Sequence, residues 1–277
     1  MGYSAIITHV QPGADSAPRL ACARNLAERF SAHLIGVGAE MIPPITFDNG
    51  YYALDAEWTV AMRHSIEQQL DVAHEDFKRE TSSLGAAATS WLRGIDSPMS
   101  ALAAASRAAD IIVAGGAPRG NENVYRDISA AELTIQAGRP VLVAPPAAKD
   151  LSAEKVLLAW KDTREARRAL SDALPFLMAA RGVLVLEVTD QDDEEDARIR
   201  TEDVARALVR RGVAAEARVT LRGQAPAAQR LLEAAAAYGA DLIVLGCYGH
   251  SRLGEWVFGG VTRDLLAQDD IFLLLSH

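Results

Sequence analysis

Asp241-Leu-Ile-Val-Leu-Gly246-Cys-Tyr-Gly249, then nine residues, then Gly259-Gly260-Val261-Thr262 is the stretch that decides the fold. An apolar run of strand type stops at a glycine, a second glycine follows three positions later, and a glycine pair opens a helical stretch. Glycines at the carboxyl end of a strand let backbone N–H groups come close to a ligand. A helix start just beyond presents unpaired N–H donors and the positive end of a dipole. The pattern points to a phosphate cradle at the sheet edge of an α/β unit.

Working outward, the strand has a counterpart. Ala109-Asp-Ile-Ile-Val-Ala-Gly115 matches Ala240-Asp-Leu-Ile-Val-Leu-Gly246 position by position. Leu92-Arg-Gly94 lies behind the first and Leu221-Arg-Gly223 behind the second; Pro140-Val-Leu-Val-Ala follows one and Ile271-Phe-Leu-Leu-Leu the other. Each half opens on a short apolar strand, Ala5-Ile-Ile-Thr-His-Val10 and Lys155-Val-Leu-Leu-Ala-Trp160. The repeat unit is a whole domain. The predicted division is residues 1–147 and 151–277, joined by the short linker Pro145-Pro146-Ala-Ala-Lys-Asp150.

Each half alternates strands and helices. Strands are predicted near 4–10, 33–39, 87–92, 110–115 and 140–144, and near 155–160, 182–188, 214–221, 241–246 and 271–275. Helices are predicted near 16–31, 57–84, 99–108 and 129–137, and near 164–180, 195–211, 225–238 and 259–267. Met62, Ile66, Leu70, Ala73 and Phe77 form one apolar face. Short apolar strands alternating with helices imply an α/β fold. Each domain is expected to be a five-stranded, mostly parallel sheet with helices on both faces.

Composition excludes some classes. The net charge is −9, and both halves share it: the first 150 residues carry 12 Lys and Arg against 17 Asp and Glu, the remainder 16 against 20. No basic surface for nucleic acid or a membrane is expected. Nothing approaches a membrane-spanning segment, and the chain reads as cytoplasmic. The two cysteines, Cys22 and Cys247, allow no metal pair and read as packed small residues. The acidic run Asp190-Gln-Asp-Asp-Glu-Glu-Asp196 reads as a solvated loop and helix start, where carboxylates suit the dipole. The histidines show no metal spacing, and no Gly-x-Ser-x-Gly elbow or P-loop string occurs. With no base or nucleophile assigned, the residues do not mark an enzyme.

The C-terminal pattern resembles the nucleotide-binding signature of the universal stress protein (UspA) family: Gly, two residues, Gly, nine residues, Gly, then Ser or Thr. Gly246, Gly249 and Gly259 fit, and Gly260 stands where the hydroxyl is usual. Thr262 matches a second small hydroxyl position. Val156-Leu-Leu-Ala-Trp-Lys-Asp-Thr163, Gly223-Gln-Ala-Pro226 and Tyr238-Gly-Ala-Asp241 add to the likeness, which covers the chain as two tandem domains.

The resemblance implies tandem Rossmann-like (adenine nucleotide alpha hydrolase-like) domains and a stress-response binding or regulatory module. It implies an adenine nucleotide, ATP first and with Mg accompanying it, in the second domain. The residues it assigns there are Gly246, Gly249, His250, Gly259, Gly260, Val261 and Thr262, with Trp160, Lys161 and Asp162 after the first strand. Nucleotide-binding members carry an Asp where Lys161 stands, and Asp162 is the nearest substitute. In the first domain the loop Gly115-Gly116-Ala-Pro118-Arg-Gly120 has lost the spacing, and Pro118 removes an amide donor. That half is expected to be a structural partner in an intrachain pseudo-dimer formed through the fifth strands, with a homodimer allowed but not required. Two alternatives remain open here: a slow ATPase or other nucleotide-using enzyme, and a partner protein with both pockets vestigial.

Overall fold

The computed structural model describes residues 2–12, 16–42, 56–116, 127–146, 150–247 and 260–277. Ten strands form one continuous sheet. The first half contributes β1 (Ala5–His9), β2 (His33–Ala39), β3 (Thr89–Gly94), β4 (Ile111–Gly115) and β5 (Val141–Ala144). The second contributes β6 (Lys155–Ala159), β7 (Gly182–Thr189), β8 (Ala215–Leu221), β9 (Leu242–Gly246) and β10 (Phe272–Ser276). Their order is β3-β2-β1-β4-β5-β10-β9-β6-β7-β8. Every neighbouring pair within a half is parallel. The halves meet at one antiparallel step, Leu273 facing Val143, Leu274 facing Leu142 and Leu275 facing Val141. The fifth strands therefore pair, and two apolar edges cover each other.

The helices are α1 (Ala17–Phe30), α2 (Ala56–Glu80), α3 (Pro98–Ala105) and α4 (Ala130–Ala137), then α5 (Arg164–Leu177), α6 (Glu194–Val209), α7 (Ala227–Tyr238) and α8 (Gly260–Leu266). Because strand side chains alternate, each central strand feeds two cores. Ile6, Ile111, Val156, Leu242 and Leu274 pack with Leu20 and Leu26 of α1, Phe77 of α2, Ala169 and Phe176 of α5 and Leu208 of α6. Ile7, Ile112, Leu157, Ile243 and Leu273 pack with Leu102 of α3, Leu133 of α4, Leu231 of α7 and Leu265 of α8. The cores thus divide by sheet face and not by half. Among the described residues no helix is long and apolar enough to cross a membrane.

The repeated Ala-Asp motif has a local reason. The Asp110 carboxylate accepts the N–H groups of Ser4 and Ala5 at 2.6 and 3.1 Å, at the start of β1. Asp241 does the same for Glu154 and Lys155 at the start of β6, both at 3.3 Å, and accepts the Ser152 hydroxyl. In each half the fourth strand thereby sets the register of the first.

A side-chain joint accompanies the backbone joint. The rings of Tyr3, Phe30 and Phe176 pack at 5.1 to 5.5 Å between centroids. Arg29 lies over Phe30 and Phe176 and donates to the carbonyl of Ser152 at 2.7 Å. Asn25 of α1 bonds Asp150.

Two expectations shift. The third strand begins at Thr89 rather than 87, because Gly85 turns at φ +77° and Ala86–Ala88 form a tight helical turn. Asp193, in the acidic run, is more than a solvated carboxylate. Arg200 bridges it at 2.6 Å to the buried Glu187 at 2.7 Å.

Candidate functional site

In a sheet wound both ways the crevice lies at the carboxyl ends of the strands where the order reverses. In the second half that place is between β6 and β9. Ala159 pairs with Leu245, and Gly246 with Ser276 of β10. Trp160, Gly246 and Ser276 therefore stand in a row, one step past the buried core, on the face that carries α5.

Gly246 is set by α5 itself. A Cβ at this position would lie 2.6 Å from the Ala166 amide nitrogen and 2.6 Å from the Glu165 carbonyl carbon. Both are backbone atoms and cannot swing away. The glycine that the spacing assigns to a ligand is thus required for the helix start to reach the strand end. Thr163 caps that helix, its hydroxyl accepting the Ala166 N–H at 3.3 Å.

Two polar atoms in the row are buried without a hydrogen-bond partner among the described residues, Trp160 Nε1 and Ser276 Oγ. Trp160 is 7% exposed and Ser276 1%. Leaving such a group unpaired costs about 1–3 kcal/mol. In the strand registers Val10 stands for Trp160, Gly115 for Gly246 and Ala144 for Ser276, so both orphan groups are replaced by hydrocarbon.

The mouth of the crevice carries charge. Glu165 is buried in the first turn of α5. Burial pushes its pKa up, but Arg164, its own N–H and the Thr163 hydroxyl outweigh that and hold the carboxyl below the ordinary value. Asp162, the expected substitute for the base-binding carboxylate, pairs instead with Arg167 of α5. Lys161 is exposed and has no ion-pair partner among the described residues. With both carboxylates matched by arginines, Lys161 is the unmatched charge, and it favours an anion.

On the other face, Gly260 is the first residue of α8 and exposed, with open space around a would-be Cβ. Val261 packs against the core, and Thr262 is buried near the Cys247 thiol. Burial drives that thiol up to about 12, against the pull of Thr262. Both cysteines are free and buried, as their reading as packed residues requires. Gly249, His250 and Gly259 lie outside the described residues. Among the described residues no His, Cys, Asp and Glu are grouped to hold a metal.

The sequence reading missed Ser276 and Glu165. Ser276 sits at the end of an apolar strand and carries no motif; aligning it with Ala144 of the other repeat is the signal that finds it.

Comparison with known proteins bears on this half directly. Residues 152–271 match the model of the universal stress protein family. That match is confined to the second half of the chain. The whole fold is shared more widely. A universal stress protein from Archaeoglobus fulgidus superposes with a TM-score of 0.69 at 13% identity, covering 98% of this chain and 97% of that one. A provisionally named universal stress protein from Pseudomonas aeruginosa gives 0.63 at 16% identity, covering 99% and 93%. At these identities the likeness is one of fold, and it spans both halves of the chain. No curated protein matches the chain.

Proposed function

We propose that the chain is a stress-response binding module of two domains, residues 1–147 and 151–277. In this reading the second domain takes an adenine nucleotide, and the first serves as its structural partner in the cytoplasm. The observation that carries this is the contrast within the repeat. Trp160 and Ser276 hold a donor and a hydroxyl buried without partners, while Val10 and Ala144 hold none. Lys161 adds a cation for phosphate at the same strand end. The match of residues 152–271 to the universal stress protein family model supports the assignment to that half.

Calorimetric titration of the full chain with ATP, ADP and AMP tests the reading, alongside mass spectrometry of small molecules released from native protein. Binding is expected, and Trp160→Phe and Ser276→Ala are each expected to weaken it about tenfold, the worth of one hydrogen bond to a buried site. The same substitutions should raise the melting temperature of the free protein, because each removes an unpaired buried group. No heat with any adenine nucleotide and none released would overturn it.

A further inference from the structure

Among the described residues the sheet ends at β8, whose only strand partner is β7. Its ladder fixes which of its backbone groups are free. Val183 donates its N–H to the Ala214 carbonyl and Arg222 donates its N–H to the Thr189 carbonyl, each at 2.8 Å. In a parallel ladder a residue bonds its neighbour with both backbone groups, and the next residue turns both away. Even-numbered residues of β8 therefore face β7. Ala215, Ala217, Val219 and Leu221 turn their N–H and C=O groups to the open edge.

An antiparallel copy of β8 added to this edge must bond odd residues to odd residues. Three registers lie near the middle of the strand. Centred on Glu216 or on Arg218, each puts a like charge opposite itself. Centred on Ala217, Ala217 exchanges both bonds with its own counterpart, and Ala215 with Val219. Glu216 then lies directly opposite Arg218, twice. That pair falls at the non-hydrogen-bonded position, where Cα atoms are about 4.5 Å apart and side chains meet most closely. Glu216 and Arg218 share one face of the strand, 3.3 Å apart, with side chains 56% and 45% exposed. The other edge of the sheet, β3, has Ser90 and Leu92 at the equivalent positions. Only the β8 edge is complementary to itself.

We propose that a second copy of the chain docks on β8, antiparallel and centred on Ala217, so that the sheet runs on across a twofold axis with Glu216 of each copy against Arg218 of the other. A sheet edge that pairs with its own kind is a common route to association, and opposite charges at facing positions select the register.

Sedimentation velocity on the full chain over a range of concentrations tests this, with thermal melts to check that each variant is folded. The parent is expected to dimerise reversibly. Glu216→Arg and Arg218→Glu are each expected to weaken the dimer about tenfold or more by placing like charges face to face. An equimolar mixture of the two variants should dimerise again as a heterodimer, and the double substitution should restore the homodimer. Ala217→Pro should abolish association while leaving the ladder to β7 whole, because its lost N–H points to the open edge. A parent that stays monomeric overturns the proposal. So does a dimer indifferent to both charge substitutions, or a mixture that does not re-associate.

Discussion

Tyr3 donates its hydroxyl to the main-chain carbonyl of Asp172, 2.6 Å away and 169 residues along the chain. The bond crosses from the first strand's approach to α5 of the other half, and the ring beneath it packs on Phe176. Burial, with Asp172 and Asp110 nearby, raises the phenol well above its ordinary value, so it stays a donor at any working pH. Tyr3→Phe is expected to lower stability by about 1 kcal/mol. Tyr3→Ala, which also empties the aromatic joint, should cost about 3–5 kcal/mol. Urea denaturation measures both.

Leu273 is buried at the antiparallel step between the halves. A charge there has no partner and breaks both halves' cores at once. Leu273→Lys is expected to unfold the whole chain, and the milder Leu273→Ala to cost about 2–5 kcal/mol. Because the cores divide by sheet face, the Ala variant should melt in one transition shared by both halves. Two separate transitions in calorimetry would contradict this.

The two described glycines of the loop signature should respond in opposite ways. Gly246→Ala drives a methyl into the α5 backbone and is expected to cost at least about 1–3 kcal/mol. Gly260→Ala meets nothing, and its helical site tolerates a side chain; stability should hold or rise by less than about 1 kcal/mol. Chemical denaturation of the two variants side by side decides it.

His9 should make stability depend on acid. It is 1% exposed, its Nε2–H facing the Ala39 carbonyl at 3.1 Å. Burial first, then the nearby Arg19, push its pKa down to about 3, against the pull of that carbonyl. The folded ring is neutral, while the unfolded ring binds a proton below about pH 6.5. Its contribution is therefore complete above that pH and is lost as pH falls toward 3. From pH 7.5 to 5 the loss should be about 2 kcal/mol. His9→Gln should flatten this part of the profile, read by urea denaturation at the two pH values.

The fold was legible because its signals are local and repeated. The run from Ala109 to Gly115 and its copy at 240–246 each announce a buried parallel strand, and the spacing of Ile66, Leu70, Ala73 and Phe77 announces the buried face of α2. The site was legible in outline only. Gly246 stood out, but its cause is the approach of Glu165 and Ala166, some 80 residues earlier in the chain, which no spacing encodes. Asp162 was a sound candidate by position, yet Arg167, one turn along α5, takes its carboxylate. Such competition between neighbours is settled in three dimensions.

The single antiparallel step has a geometric consequence. The strands of the first half all run one way and those of the second all run the other. Their carboxyl ends, and hence the two crevices, open at opposite ends of the molecule. No one ligand can span both, and a side chain altered at one end is chemically invisible at the other. Val10 and Ala144 can become hydrocarbon while Trp160 and Ser276 keep their polar atoms, and neither end constrains the other except through the sheet they share.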